Sequence, residues 1–226
     1  MQRLFDIFFS GIALLVLSPL LIPIMVLLRI TGEGEIFYLQ DRVGKDGKTF
    51  KLYKFATMLK NSPNILTGTL TVINDPRVLP AGKFLRKTKI NELPQLLNIL
   101  KGEMSVIGPR PQAENNFSKF PLEFQRVIVM VKPGLSGLGS ILFRAEETIL
   151  AEQEDAVFFY DNVITPYKGR VEAWYVDNNS LATYFTLILV TIWIVLFPSS
   201  SIVWSIFKGL PTPPNDLKAQ LNFRVV

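Results

Sequence analysis

The stretch IFFSGIALLVLSPLLIPIMVLL, residues 7–28, holds 22 consecutive uncharged residues between Asp6 and Arg29. A straight helix of that length, rising about 1.5 Å per residue, reaches roughly across a hydrocarbon core. It starts almost directly after Met1 and lacks a small-residue cleavage site, so it is expected to be retained rather than removed as a signal peptide. Its middle carries Ser18, Pro19 and Pro23. Proline has no N–H and its ring clashes with the carbonyl four residues earlier, so the helix is expected to kink or break near Pro19. In lipid the freed backbone group needs a partner, and the Ser18 hydroxyl is placed to supply one. A break there turns the chain back so that both ends leave on one side; a kinked spanning helix is the other reading these residues allow.

A second apolar segment, LATYFTLILVTIWIVLF at 181–197, lies in an uncharged window that runs from 178 to 207. At 17 residues it is short for a span, and it is apolar all round. Periodicity leaves buried, interfacial and short transmembrane placements open. Composition agrees with a membrane setting: 49% of the 226 residues are hydrophobic and 19% charged, and the mean hydropathy is +0.30. The net charge of +5 suits anionic lipid or anionic small substrates. No Lys/Arg run is interleaved with aromatics, so no nucleic-acid partner is expected. The chain has no Cys and no His. That removes disulfides, thiolate chemistry, imidazole bases and ordinary zinc sites, and leaves carboxylates, cationic side chains, hydroxyls and hard oxygen-ligated cations.

The polar middle reads as a β-hairpin near 36–56, with IFYLQDRVG and TFKLYKFATM flanking a Lys45-Asp46-Gly47-Lys48 turn. Its cations, Arg42, Lys45, Lys48, Lys51 and Lys54, are either a solvated strand face or an electropositive wall beside phosphates. Further on, Asn91 is placed as an N-cap and Glu92 in the first turn of a helix that Gly102 closes, with Leu93, Leu96, Leu97 and Leu100 as its buried stripe. A helix start beside basic residues is also an anion site, so Asn91 and Glu92 are either caps or active-site groups. In Gly108-Pro109-Arg110-Pro111 two prolines fix the backbone around one arginine. That is either a structural turn or a guanidinium held ready for a phosphate.

These motifs come in a recognisable order: Arg3 with Phe5-Asp6, the Ser-Pro-interrupted apolar segment, Asp41-Arg42-Val43-Gly44, Tyr53-Lys54-Phe55, Asp75-Pro76-Arg77, Glu92-Leu93-Pro94-Gln95-Leu96, Lys101-Gly102-Glu103-Met104-Ser105 and Gly108-Pro109-Arg110-Pro111. Over roughly residues 1–145, and more weakly through Trp174-Tyr175-Val176-Asp177 and Ser180, the chain resembles the bacterial sugar transferases, the monotopic phosphoglycosyl transferases of envelope polysaccharide and glycoconjugate assembly. The resemblance implies transfer of a sugar 1-phosphate from a UDP-sugar to undecaprenyl phosphate, with UMP released and Mg2+ required. It also implies an α+β, mostly helical fold. Residues 1–31 would form a re-entrant membrane helix broken at Ser18-Pro19. Residues 32–226 would form a catalytic domain lying on the cytoplasmic face of the bacterial inner membrane, with an interfacial apolar helix at about 181–197.

The chain departs from the family pattern at three places. The family's Asp-Glu pair, whose Asp is the nucleophile, reads Asn91-Glu92 here; Ala56 replaces a usually basic residue; and LGSILFRAEE follows Lys132-Pro133-Gly134-Leu135-Ser136-Gly137 in place of a tryptophan-containing continuation. An amide is a poor nucleophile and a weak Mg2+ ligand. Three mechanisms stay open: Glu92 as nucleophile with Asn91 positioning a phosphate oxygen, direct displacement of UMP by the lipid phosphate, or a catalytically dead relative that binds substrate or scaffolds a pathway. The residues expected at the site are Glu92 and Asn91 as the catalytic pair, Arg110, Arg42, Lys54, Arg77, Arg86 and Arg144 on substrate phosphates, and Glu92 with Glu146 or Glu147 on Mg2+. Sugar specificity is expected in loops 61–72 and 144–160, and the Pro-rich tail at 210–215 could serve as an arm in a homo-oligomer. A glycosyl transferase acting on a soluble acceptor is the other enzyme class that nucleotide-sugar binding would allow.

Overall fold

A computed structural model describes residues 1–62 and 75–223. The first element, α1 (Gln2–Ile30), stays helical through both Pro19 and Pro23. Pro19 leaves the Leu15 carbonyl without its usual N–H donor, and the Ser18 hydroxyl donates to that same carbonyl at 2.7 Å. The expected interruption at Ser18-Pro19 is therefore not an end of the helix, because the side chain replaces the lost backbone bond. One face of α1 is buried along its length, at Asp6, Ser10, Leu21, Ile24 and Leu28, with Ala13, Leu14 and Leu17 half-buried between them. This i, i+3, i+4 stripe docks on the rest of the chain. The opposite face leaves Phe8, Leu15, Val16, Ile22 and Val26 exposed.

Both ends of α1 are held by the same body. Near the start, the Arg3 guanidinium donates to the Ile99 carbonyl and to the Leu100 carbonyl at 2.7 Å. The buried Asp6 Oδ1 accepts from Ser105 Oγ at 2.8 Å, Val106 N at 2.9 Å and Tyr184 OH at 3.0 Å. At the other end Leu21, Ile24 and Leu28 pack with Phe55 and Leu85.

The hairpin forms as its turn chemistry requires. Strands β1 (Phe37–Val43) and β2 (Thr49–Phe55) pair antiparallel from Phe37↔Phe55 to Val43↔Thr49. Asp46 and Gly47 turn the chain with φ of 58° and 72°, values that Asp tolerates and Gly adopts freely. The register places Tyr38, Gln40 and Arg42 opposite Lys54, Leu52 and Phe50 on one face. Asp41 and Lys51 share the other face and pair at 2.7 Å. The run of hairpin cations is thus divided: Arg42 and Lys54 face one way and Lys51 the other.

Helix α2 (Pro80–Lys87) leads to a single 3-10 turn, Ile90–Glu92, and then α3 (Gln95–Lys101). Asn91 does not cap this helix, correcting that expectation: Lys89 enters in the left-handed region at φ 59°, and α3 begins only after Pro94. Gly102 ends α3 with φ 90°, its N–H returning to the Asn98 and Ile99 carbonyls. The buried Asn98 side chain fastens α3 to β2, accepting from Tyr53 N at 3.0 Å and donating to the Lys51 carbonyl at 2.8 Å.

Beyond α3, strands β3 (Ser105–Ile107) and β4 (Gly134–Ser136) form a short parallel pair, with α4 (Glu114–Phe117) and α5 (Leu122–Ile128) between them. Then come α6 (Leu138–Leu142), α7 (Glu146–Ala151), α8 (Ala156–Phe159), a π-helical turn at Tyr160–Ile164, α9 (Thr165–Asp177), α10 (Leu181–Leu196), α11 (Ile202–Ile206) and α12 (Asn215–Lys218). Ser180 caps α10, accepting from Thr183 N at 3.1 Å. The largest core gathers Ile107, Leu138, Ile164, Val171, Tyr184 and Leu187 around α9 and α10. Helix α10 buries Tyr184, Leu187, Val190 and Ile194 and exposes Leu189, Ile192, Val195 and Leu196. It is a packed helix with one bare apolar side. Phe5 of α1 meets Phe185 of α10 edge-on, ring centroids 4.9 Å apart. The bare faces of both helices therefore belong to neighbouring elements.

Candidate active site

Four side chains from three segments converge. Arg42 and Lys54 project from the same face of the hairpin, Glu92 from the 3-10 turn, and Arg110 from the Gly-Pro-Arg-Pro loop after β3. Glu92 is clasped from both sides. Arg110 Nη2 lies 2.8 Å from its Oε1 and Nη1 3.5 Å from its Oε2, while Lys54 Nζ lies 3.3 Å from Oε1. Glu92 and Lys54 keep 14% and 18% of their side-chain exposure and Arg110 keeps 35%, so a ligand in solution reaches Arg110 more readily than Lys54.

The charges shape one another. Burial raises the Glu92 carboxyl, but Arg110 and Lys54 outweigh it and hold the group well below the usual carboxylate range. Burial, with Arg110 and Arg42 nearby, brings Lys54 down to about 8 against the pull of Glu92. Burial beside Arg110 brings Arg42 down to about 10. Glu92 holds Arg110 above its ordinary value. Arg42, Lys54 and Arg110 thus gather around Glu92, and Glu146, which also acts on Arg110, is already bound by Lys168; the arrangement is short of negative charge and suited to an anion with several oxygens. Among the described residues Asn91 Oδ1, next in the chain to Glu92, and Arg42 Nε are buried and lack a hydrogen-bond partner.

The Arg110 loop is fixed by more than its prolines. Gly108 and Gly134 approach so closely that a Cβ on Gly134 would lie 2.0 Å from Gly108 N, which leaves room for glycine alone. From the front, Arg42 Nη1 donates to the Pro111 carbonyl at 3.1 Å. From behind, the Arg110 backbone N–H donates to Glu172 Oε1 at 3.1 Å. Glu172 is 2% exposed, and its other oxygen has no partner among the described residues. Burial pushes its carboxyl up to about 7.

The remaining expected residues are held by other partners. Arg77 is buried and spent on Asp75, with Nε 2.8 Å from Oδ1 and Nη2 2.6 Å from Oδ2, and on the Ser62 carbonyl at 2.9 Å. Arg144 donates to the Ile194 carbonyl in the last turn of α10, where a cation also meets the helix dipole. Arg86 reaches Glu147 at 3.3 Å on the surface. Glu146 is taken by the buried Lys168, and burial of that lysine is outweighed by Glu146, which raises it. The two carboxylates proposed for Mg2+ beside Glu92 thus turn to different cations. No group of three or more acidic side chains stands together among the described residues. Of the two specificity loops, residues 63–72 of the first lie outside the described residues.

Lys168 and Glu172 were missed from the sequence, although a signal is present. They fall four apart in α9, at the spacing of Ile164, Val171 and Tyr175 on its buried face. A charge at a core position of a helix needs a partner, and here the partners are Glu146 and the Arg110 loop.

Residues 1–198 match the family described as bacterial sugar transferase. The exopolysaccharide production protein ExoY of Sinorhizobium fredii is 38% identical over 154 residues, 62% of this chain and 68% of that protein. The UDP-glucose:undecaprenyl-phosphate glucose-1-phosphate transferase of Klebsiella pneumoniae is 38% identical over 164 residues, 71% of this chain and 35% of that protein. The undecaprenyl-phosphate galactose phosphotransferase of Salmonella typhimurium is 32% identical over 211 residues, 87% of this chain and 40% of that protein. The chain therefore spans well under half the length of the last two.

Proposed function

The chain belongs to the bacterial sugar transferase family, and from that membership we propose that it moves a sugar 1-phosphate from a UDP-sugar to undecaprenyl phosphate, releasing UMP. The observation that carries this reading is the convergence of Arg42, Lys54 and Arg110 on one carboxylate, Glu92. A reaction between a nucleotide diphosphate and a lipid phosphate brings two polyanions together. Placing fixed cations where that charge gathers is the main contribution a protein makes to phosphoryl transfer. Arg110, more exposed than Lys54, is assigned to the donor diphosphate, with Lys54 and Arg42 completing the cradle. Glu92 orients Arg110 and Lys54.

The setting supports a lipid acceptor. Helix α1 is long and apolar enough to cross a membrane, and both of its ends pack on one domain. That arrangement favours a re-entrant placement in the inner leaflet, with α10 at the interface and the site facing the cytoplasm. Mg2+ is proposed to reach the site with the donor diphosphate rather than on a protein-built cage, because Glu146 and Glu147 are paired with Lys168 and Arg86. Dependence of turnover on added Mg2+ checks this.

The deciding experiment supplies purified protein with undecaprenyl phosphate and a panel of UDP-sugars labelled in the sugar. Label passing into organic solvent together with UMP release supports the transfer. Water-soluble glycosylated product would point to a glycosyl transferase with a soluble acceptor. No product from any donor would leave a substrate-binding relative without turnover.

A further inference from the structure

The carboxylates that act on Arg110 are Glu92, Glu146 and Glu172, and each is already engaged. Glu92 is held by Arg110 and Lys54 on the oxygens with which it would have to attack. Glu146 is bound by Lys168. Glu172 is buried behind the loop, accepting the Arg110 backbone N–H. Asn91, 5% exposed beside Glu92, presents an uncharged amide. Such a group hydrogen-bonds a phosphate oxygen but does not form a stable acyl phosphate. The chain has no Cys or His to take over, and residues 63–74 and 224–226 contain no Asp or Glu.

We propose that this chain transfers the phosphosugar in one in-line displacement, without a covalent enzyme intermediate; the inference rests on the transfer reaction proposed above. An oxygen of the polyprenyl phosphate forms the new bond to the β-phosphorus of the UDP-sugar. The bond from that phosphorus to the oxygen bridging the two phosphates breaks, and the bridging oxygen leaves on UMP with the electron pair. No proton has to move, because a phosphate monoester with a second pKa of about 6 is already largely dianionic near neutrality. Donor and acceptor must then occupy the site together. Two polyanions in one site need more positive charge than a stepwise scheme that admits them in turn. Arg42, Lys54 and Arg110 stand around Glu92, with Glu146 farther off and already bound to Lys168, and they supply that excess. In this scheme Glu92 is a positioning residue for the two cations it touches, and Asn91 is a hydrogen-bonding partner for a donor phosphate oxygen.

The test uses the full-length protein in nanodiscs with a panel of UDP-hexoses and UDP-N-acetylhexosamines. One arm measures lipid-dependent formation of organic-extractable product at varied donor and acceptor concentrations. A second omits the lipid and follows exchange of radiolabelled UMP into the UDP-sugar, with intact-mass analysis of the protein. Single displacement predicts product formation with intersecting double-reciprocal lines, exchange at least about a hundredfold slower than turnover, and no added mass. Exchange at a rate comparable to turnover, parallel lines, or a hexose-phosphate adduct on Glu92 or any other residue overturns the single step while leaving the transfer reading intact. Absence of lipid-linked product across the panel overturns the transfer reading itself, and the single step with it.

Discussion

Substituting Glu172→Gln changes one buried carboxyl into an amide of the same shape and keeps an oxygen for the Arg110 N–H. The native carboxyl is raised from 4.5 to about 7, chiefly by burial, against the weaker pull of the Arg110 N–H and the Lys168 ammonium. The unfolded chain gives up this proton near 4.5, whereas the folded chain keeps it until about 7. Between those values the folded state binds more protons, so stability falls as pH rises. The cost is absent below about 4.5 and complete above about 7, where it amounts to about 3 kcal/mol. Glutamine does not titrate and removes that slope. The unpartnered amide N–H2 adds a penalty of about 1–3 kcal/mol, but one that is the same at every pH. The quantity to read is therefore how the difference between variant and wild type changes with pH. Because a little of the cost has already accrued at pH 5, thermal unfolding in detergent at pH 5 and pH 8 should show the variant gaining about 2.5 kcal/mol relative to wild type across the interval, roughly 5–10 °C in midpoint for a chain of this size. A difference that stays flat between the two pH values would refute the assignment of a neutral buried carboxyl behind the Arg110 loop.

Arg110→Lys keeps a charge but loses the two-pronged grip on Glu92; lipid-linked product formation should fall by about 10–100-fold, with Arg110→Ala lower still. Asp6→Ala leaves the Ser105 hydroxyl, the Val106 N–H and the Tyr184 hydroxyl without their acceptor, and should cost about 3–6 kcal/mol in detergent-solubilised protein. Asp6→Asn retains an acceptor oxygen and should cost clearly less, so equal losses would show that the three bonds do not matter. Ser18→Ala strips the Leu15 carbonyl of its donor and should lower stability by about 1 kcal/mol, with a larger effect in a bilayer than in a detergent that admits water.

Local chemistry was readable where it is decided locally. Asp46-Gly47 permits few turns other than a hairpin turn, and Gly102 ends a helix because it enters the left-handed region without strain. Ser18 sits next to the proline whose missing bond it replaces, so its role followed from adjacency. Asn91 misled because cap preference is a property of residue type. The actual helix start was set by a left-handed Lys89 and by Pro94. The arginines show the main limit. Arg77, Arg110 and Arg144 all carry the same group, but their partners are a carboxylate two residues away, a carboxylate eighteen away and a carbonyl fifty away. Only the fold decides which guanidinium remains available to a ligand. Glu172 is the reverse case: its buried position was present in the periodicity of α9, and its purpose, holding a loop 62 residues away, was not.

The geometry also explains why the site and the apolar helix belong to one body. Helix α3 is gripped at its end by Arg3, along its side by Leu14 and Leu17, and at its edge by the hairpin through Asn98. Glu92 lies just before its start, and Lys54 lies on the strand to which Asn98 ties it. A shift of α1 against α3 would therefore move the carboxylate that holds Arg110 and Lys54 together. For a lipid phosphate this connection is useful. The headgroup is tethered to an apolar tail and cannot travel far from the bilayer, so its cations must be fixed relative to whatever seats the protein there. Docking α1 along its whole length, instead of hanging it from a linker, sets that distance through packed side chains and buried hydrogen bonds, which interiors transmit with little give.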